Sequence, residues 1–274
     1  MRFSVKVMNT LETALLSALP HVVSRRILRY REMRRLGTRL KPAMQTAFVS
    51  SRYAAVKKAR LDLLPSGTLQ DLHCVVDVGA NEGKWSEALL RQAPVKQLVA
   101  IEPNPVIFAG LQKRLARFSN VRCLKLAVGA AKGTLPFHNT QSSLCSSFLR
   151  PREEMRQFYG EAIEPRQKIQ VPVERLDNVL TDFARISLLK IDVQGYERQV
   201  LQGASEVLRR TNRILIEANF VSHYQDDILF PELHRLLTGA GFALANLSPP
   251  FQKENLALWA DALYHARKTP ACVS

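Results

Sequence analysis

Beyond residue 70 the apolar positions fall into short, nearly uninterrupted runs, separated by longer stretches in which they recur at helical spacing. The runs at 73–78, 97–102, 121–127, 186–192 and 213–218 show no polar alternation, as expected of strands buried on both faces. Between them, 84–92, 105–118, 196–209 and 229–240 predict helices. Weaker runs at 134–138 and 168–173 flank a serine-rich loop and predict two extra short strands. Residues 242–246 and 257–266 close the sheet. Strands alternating with helices predict a mostly parallel sheet covered on both faces, a doubly wound α/β domain.

The first 60 residues follow a different pattern. Leu, Ala, Arg and Met dominate, Pro20 and Pro42 interrupt the run, and the spacing predicts helix. Arg25, Arg26, Arg29, Arg31, Arg34, Arg35 and Arg39 spread around most of a helical wheel, so no clean apolar face forms. Pro65-Ser66-Gly67 marks a linker. The expected division is a basic, mainly helical extension over 1–64 and the α/β domain over 65–274.

Composition supports the second part and explains the first. The chain has 274 residues, 46% of them hydrophobic, enough for a sizeable core and against disorder or a disulfide scaffold. It carries 39 Lys+Arg against 24 Asp+Glu, a formal charge of +15. Residues 1–60 hold 14 of the basic and 2 of the acidic side chains, +12, which leaves the rest near balance at +3. That asymmetry bears on partners: the first reading of the extension is a solvated or loosely docked helical arm, and the alternative is a peripheral contact with an anionic membrane surface or a phosphate-rich molecule. No run of about 18 apolar residues predicts a membrane-spanning helix. The weak apolar stretch at 11–23 is interrupted by Glu12 and His21 and lacks a small-residue cleavage site, which argues against a signal peptide. Cys74, Cys123, Cys145 and Cys272 form no CxxC pair and suit a reducing compartment, so a cytoplasmic location is expected.

In a doubly wound sheet, ligands bind at the carboxyl ends of the strands. The first strand ends in Asp77-Val78-Gly79-Ala80-Asn81-Glu82-Gly83, where Gly79 and Gly83 permit a tight turn and a close backbone approach. The spacing is G-x-x-x-G, and Asn81 stands where a dinucleotide fingerprint needs its second glycine. No Gly-Lys-Ser/Thr follows, so a P-loop is also absent, and the ligand is expected to lack a pyrophosphate. The second strand ends in Ile101-Glu102-Pro103-Asn104-Pro105, where the Glu102 carboxylate is placed to accept hydrogen bonds from two ribose hydroxyls. Read alone, the turn is also an ordinary strand-to-helix connection and Glu102 a helix cap. Together, a ribose without a pyrophosphate suggests S-adenosylmethionine. Asp77 would then face its ammonium group, the turn's backbone amides its carboxylate, and Asn104 the same crevice.

These segments resemble the FkbM family of S-adenosylmethionine-dependent methyltransferases. Val76-Asp77-Val78-Gly79-Ala80-Asn81-Glu82-Gly83 and Glu102-Pro103 carry the first part of the likeness. Val173-Glu174-Arg175-Leu176-Asp177 is similar to a further element, and Leu189-Lys190-Ile191-Asp192-Val193-Gln194-Gly195-Tyr196-Glu197 to the most distinctive motif. Val200-Leu201-Gln202-Gly203-Ala204 and Ala260-Asp261-Ala262-Leu263 follow in family order. The resemblance covers about residues 73–266 and leaves the basic extension outside. It implies a class I methyltransferase fold, Rossmann-like, with a seven-stranded sheet and an antiparallel last strand. It further implies methyl transfer to a hydroxyl oxygen of a sugar, glycan or secondary metabolite.

Methyl transfer to oxygen needs a group to orient the hydroxyl and take its proton. Asp192, at the end of the fourth main strand, is the first candidate. Lys190 shares its strand face and would pair with it, orient the substrate or close a polar cluster. Glu217, ending the fifth strand, is the second base candidate or a substrate contact, whereas Glu197 serves equally well as a helix-start residue. Asp192, Glu217 and Asn219 scatter three oxygens over two strands, a weak signal for a divalent cation, and no metal is expected. His138, His223, Ser143 and Ser146 are loop residues that could touch a ligand or simply face solvent. The basic extension keeps an RNA methyltransferase in view. Against it, no Asn-Pro-Pro-Tyr-like motif follows the fourth strand, and the body has no second basic stripe. A non-catalytic module docking through the extension is the third reading.

Overall fold

In a computed structural model, residues 60–65, 69–70, 72–253 and 255–267 are described. The basic extension, apart from its last few residues, and Cys272 lie outside them. Among the described residues no helix is long and apolar enough to cross a membrane.

The domain opens with β1 (Leu72–Val78), α1 (Lys84–Gln92), β2 (Val95–Ile101), α2 (Pro105–Leu115) and β3 (Val121–Leu124). An insertion follows, with β4 (Ala127–Val128), β5 (Gly133–Thr140), the short helix α3 (Arg156–Tyr159) and β6 (Pro165–Glu174). The chain returns through α4 (Leu176–Val179), β7 (Leu188–Ile191), α5 (Glu197–Gln202), α6 (Ser205–Arg209) and β8 (Arg213–Asn219). It closes with α7 (Phe230–Gly239), β9 (Phe242–Leu247), β10 (Phe251–Lys253) and β11 (Leu256–Ala266).

The main sheet has eight strands in the order β3-β2-β1-β7-β8-β11, with β9 and β10 both pairing β11 on its outer edge. β1, β2, β3, β7 and β8 are mutually parallel, and β11 runs antiparallel to β8. The expected α/β class, with its antiparallel last strand, is therefore what the chain adopts. β10 is the strand added to the expected seven. β4, β6 and β5 form a separate three-stranded sheet.

The central strands are apolar throughout because each feeds two cores. Val76, Val78, Leu189 and Ile191 pack into a cluster beneath α5, α6 and α7. Their neighbours Val75, Leu188, Ala100 and Leu215 pack on the opposite face with Leu89 of α1 and Leu111 of α2. The layers hold β1 and β7 side by side, with Asp77 opposite Lys190 and Val78 opposite Ile191. The strand order reverses there, so the crevice lies at their carboxyl ends.

Two expected elements are divided. The strand read at 121–127 ends its main-sheet pairing at Leu124 opposite Ile101, and Ala127–Val128 then pairs β6 in the second sheet. The helix read over 196–209 breaks at Gly203 because that residue is pressed against the Gly129 backbone. A Cβ there would sit 1.9 Å from the Gly129 carbonyl oxygen. Short helical turns between 143 and 163, unread in the sequence, carry Cys145, Met155, Tyr159 and Ile163 into a satellite core with Trp259 of β11.

Candidate active site

The β1 end turns sharply into α1. Gly79 has φ +76°, and a Cβ on it would lie 2.0 Å from the Asp192 carbonyl oxygen, so only glycine lets β1 and the chain after β7 meet this closely. Asn81 adopts φ +49°, a conformation its short polar side chain tolerates. The turn spends its own amides. The N–H groups of Gly79 and Ala80 donate to the Ile101 carbonyl and that of Asn81 to Glu102. Those of Glu82 and Gly83 bond within the turn. The expected backbone cradle for a ligand carboxylate is thus already closed by β2.

Glu102 is the centre of this arrangement. Its Oε2 accepts the Asn81 N–H at 2.9 Å and its Oε1 the Asn104 N–H at 2.9 Å. Each oxygen keeps a further lone pair for a ligand hydroxyl. Burial pushes its carboxyl up to about 7, against the pull of those two amides. Asn104 lines the same cleft and caps α2 through its side-chain oxygen, bonding the Val106 and Ile107 N–H groups.

Two residues expected at the cofactor are placed elsewhere. Asp77 is fully buried, accepting from Ser86 Oγ at 2.6 Å and from Lys190 Nζ at 2.9 Å. Gly83 is the cap before α1 and packs beneath Leu111 of α2. Neither is among the cleft-lining residues. The reason is that Asp77 shares a sheet face with Lys190, so the ion pair closes beneath the turn and not into the crevice. Lys190 is likewise absent from the cleft wall, and its Nζ reaches Asp192 only at 3.8 Å.

Asp192 does line the cleft. Its Oδ1 accepts from Gln194 Nε2 at 2.7 Å, and the same amide reaches Glu217 Oε1 at 3.3 Å. Gln194 therefore bridges the two carboxylates read as candidate bases. It was visible only as a spacer within the distinctive motif, since a neutral amide offers no titratable signal. Glu197 supports this bridge from below: its Oε1 accepts the Val193 and Gly195 N–H groups at 3.2 and 3.3 Å. It is wholly buried, and burial, reinforced by the Glu217 charge, pushes its carboxyl up to about 8.

The serine-rich loop is tied to the site. Asn81 Nδ2 donates to the Ser143 carbonyl at 3.2 Å, Ser146 Oγ accepts the Thr140 N–H at 3.1 Å, and Ser147 Oγ donates to the Gln194 carbonyl at 2.7 Å. Phe148 packs against Phe137 and Tyr196 with ring centroids 5.1 and 4.7 Å apart. Ser143 and Ser146 line the cleft, whereas His138 does not.

The cleft is open to solvent and spans about 660 Å³ when the space at its mouth is counted. Its walls include the apolar side chains of Ile107, Leu126, Phe137 and Phe148. Among the described residues its charged lining residues are Glu102 and Asp192, with no Lys, Arg or His. Such a wall disfavours phosphate and suits a ligand that carries a ribose and a positive charge. S-adenosylmethionine fits that donor set. A second, much smaller cavity, with room for about one water molecule, shares Gln194 with the first and is lined by Glu217 and His223. Among the described residues, no group of three or more His, Cys, Asp or Glu is arranged to hold a metal ion.

The chain is similar to known methyltransferases. The family profile described as Methyltransferase FkbM domain matches residues 77–244. The methyltransferase sdnD of Sordaria araneosa is 31% identical over 193 residues, covering 61% of this chain and 73% of its own. The 2-O-methyltransferase NoeI of Sinorhizobium fredii is 24% identical over 163 residues, 56% of this chain and 66% of its own. A crystal structure of methyltransferase FkbM from Methylobacillus flagellatus is 17% identical with a TM-score of 0.47. The match covers 88% of this chain and 59% of that one.

Proposed function

The chain belongs to the FkbM methyltransferase family, and from that premise we propose that it methylates a hydroxyl oxygen on a sugar, glycan or secondary metabolite. Its methyl donor is S-adenosylmethionine, which supplies an electrophilic methyl carbon on a sulfonium. The observation that carries the reading is the cleft wall, whose charges among the described residues are the Glu102 and Asp192 carboxylates.

Each residue then has a task. Glu102, pinned by two backbone amides, accepts hydrogen bonds from the ribose hydroxyls. The aromatic faces of Phe148 and Tyr196 and the two carboxylates favour the cationic end of the donor over its neutral product. Asp192, held in one orientation by Gln194, receives the acceptor's hydroxyl and takes its proton at the carboxylate. Glu217, on the same amide, is the second contact for the acceptor. Lys190 acts through others: it neutralises Asp77 and stands behind Asp192, a positioning residue. The 2-O-methyltransferase activity in the name of NoeI supports an oxygen acceptor. The basic residues of 1–60 belong to this reading as a docking segment for an anionic surface, separate from the chemistry.

The test is transfer of labelled methyl groups from S-adenosylmethionine into fractionated cell extract. Label in saccharide or small-metabolite hydroxyls supports the proposal. Label confined to RNA or protein overturns it.

A further inference from the structure

The Gln194 amide faces both carboxylates, Nε2 lying 2.7 Å from Asp192 Oδ1 and 3.3 Å from Glu217 Oε1. Its main chain is fixed independently of that amide. Ser147 Oγ donates to the Gln194 carbonyl at 2.7 Å, and Glu197 takes the N–H groups of Val193 and Gly195 on either side. The backbone is left-handed there, with φ +55° at Gln194 and +93° at Gly195. A fixed main chain does not orient the amide. The last torsion of a glutamine is broad, and hydrogen-bond partners decide which way its oxygen and nitrogen face.

Tyr224 supplies the partner on the oxygen side. Its Oη donates to Gln194 Oε1 at 3.2 Å and to the Cys145 carbonyl at 3.1 Å, one proton between two acceptors. The ring is buried and lies against Gly195, where a Cβ would come within 2.9 Å of Tyr224 Cδ2. Glycine at 195 therefore lets the ring approach closely enough for its hydroxyl to reach the amide. The Tyr224 main chain is clamped as well. Its N–H donates to Asp227 Oδ2 at 3.3 Å, its carbonyl accepts from Ser222 Oγ at 2.9 Å, and it pairs with Pro151 of the insertion. Packing needs only the ring; the hydroxyl is what tells the two ends of the amide apart.

We propose that Tyr224 is a positioning residue for methyl transfer: its hydroxyl sets the direction of the Gln194 amide and, through it, the orientation of Asp192. Two carboxylates call for the nitrogen end of the amide and a phenol O–H for its oxygen end, so both requirements select one arrangement. Without the hydroxyl, Oε1 is left buried with a donor missing, and the amide turns to find another. Asp192 then loses its fixed hydrogen bond, and the acceptor hydroxyl loses a base held in place. Tyr224 itself changes no bond. As the oxygen–methyl bond forms and the methyl–sulfur bond breaks, the hydroxyl proton goes to Asp192, and Tyr224 acts through Gln194.

This role rests on the oxygen-methylation reading of the same site, and the test separates the two. The full chain is compared as wild type, Tyr224→Phe, Gln194→Met and the double variant. The assay is transfer of labelled methyl from S-adenosylmethionine into the saccharide and small-metabolite fractions of cell extract. Calorimetry with S-adenosylhomocysteine is the control for the donor site and for folding. Tyr224→Phe should transfer about tenfold more slowly, with S-adenosylhomocysteine affinity within about twofold of wild type. In the Gln194→Met background the same substitution should cost nothing further, because its effect passes through the amide. In NMR spectra the Gln194 side-chain amide protons, identified by their loss in Gln194→Met, should exchange with solvent about tenfold faster in Tyr224→Phe. Wild-type transfer by Tyr224→Phe, additive losses in the double variant, or unchanged amide exchange overturns the role of Tyr224 alone. Loss of S-adenosylhomocysteine binding by Tyr224→Phe also overturns it, since a purely structural tyrosine would behave that way. Wild type that binds no S-adenosylhomocysteine, or labels neither fraction, overturns the reading beneath it.

Discussion

Lys190 and Asp77 face each other across β7 and β1, with Nζ 2.9 Å from Oδ1 and the Asp77 side chain wholly enclosed. The pair lies under the crevice floor and is roofed by Trp85, whose ring centre is 5.4 Å from the ammonium. Removing one partner leaves a buried charge without compensation. Lys190→Met should therefore cost roughly 3–5 kcal/mol of folding stability, measured by chemical denaturation. The double variant Asp77→Asn, Lys190→Met should recover most of that loss. A single variant as stable as wild type would show that the pair is dispensable.

Glu102 makes donor binding pH-dependent. Its carboxyl is held up at about 7 by burial, and the ionised form is the better acceptor for ribose hydroxyls. Donor binding therefore favours proton release, and affinity should rise about tenfold between pH 6 and pH 8. Glu102→Gln should bind S-adenosylmethionine about 10–100-fold more weakly and lose this pH dependence. Calorimetry in buffers of differing ionisation enthalpy reads both the affinity and the proton release.

Glu197 links stability to pH in a defined direction. Its folded value of about 8 lies above the usual 4.5, so folding favours the protonated acid. That contribution is complete below about pH 4.5 and is lost as pH rises through about 8. Glu197→Gln keeps an oxygen for the Val193 and Gly195 amides but cannot ionise. Between pH 5 and pH 9 the variant's melting temperature should fall less than that of wild type, a comparison read by calorimetric scans.

Gly79→Ala tests the crevice geometry. The new Cβ would meet the Asp192 carbonyl at 2.0 Å with φ at +76°, so β1 and the Asp192 segment must part. The variant should melt lower and lose both donor binding and methyl transfer. Equal donor affinity would mean that the two segments need not touch.

The fold was largely legible because the central strands are buried on both faces and show it as unbroken apolar runs. The predicted helix 84–92 coincides with α1, since Gly83 before it and Ala93-Pro94 after it are local signals. The features that the sequence leaves unread depend on long-range contact. The break at Gly203 is imposed by the Gly129 backbone, far away in sequence, and β10 exists only because β11 offers it an edge. At the site, Glu102 and Asp192 could be named because strand ends and carboxylates are both readable. That Asp77 and Lys190 consume each other was not, since pairing across β1 and β7 depends on register. Gln194 matters through the two carboxylates it bridges, and that is a property of the folded chain.

Asp192→Asn is the most direct test of the account, measured as transfer of labelled methyl from S-adenosylmethionine to an acceptor hydroxyl beside calorimetric donor binding. The account predicts donor affinity within about threefold of wild type and a transfer rate lower by about 100-fold or more. Transfer at the wild-type rate, or label appearing on a nitrogen or carbon atom of the product, would contradict it.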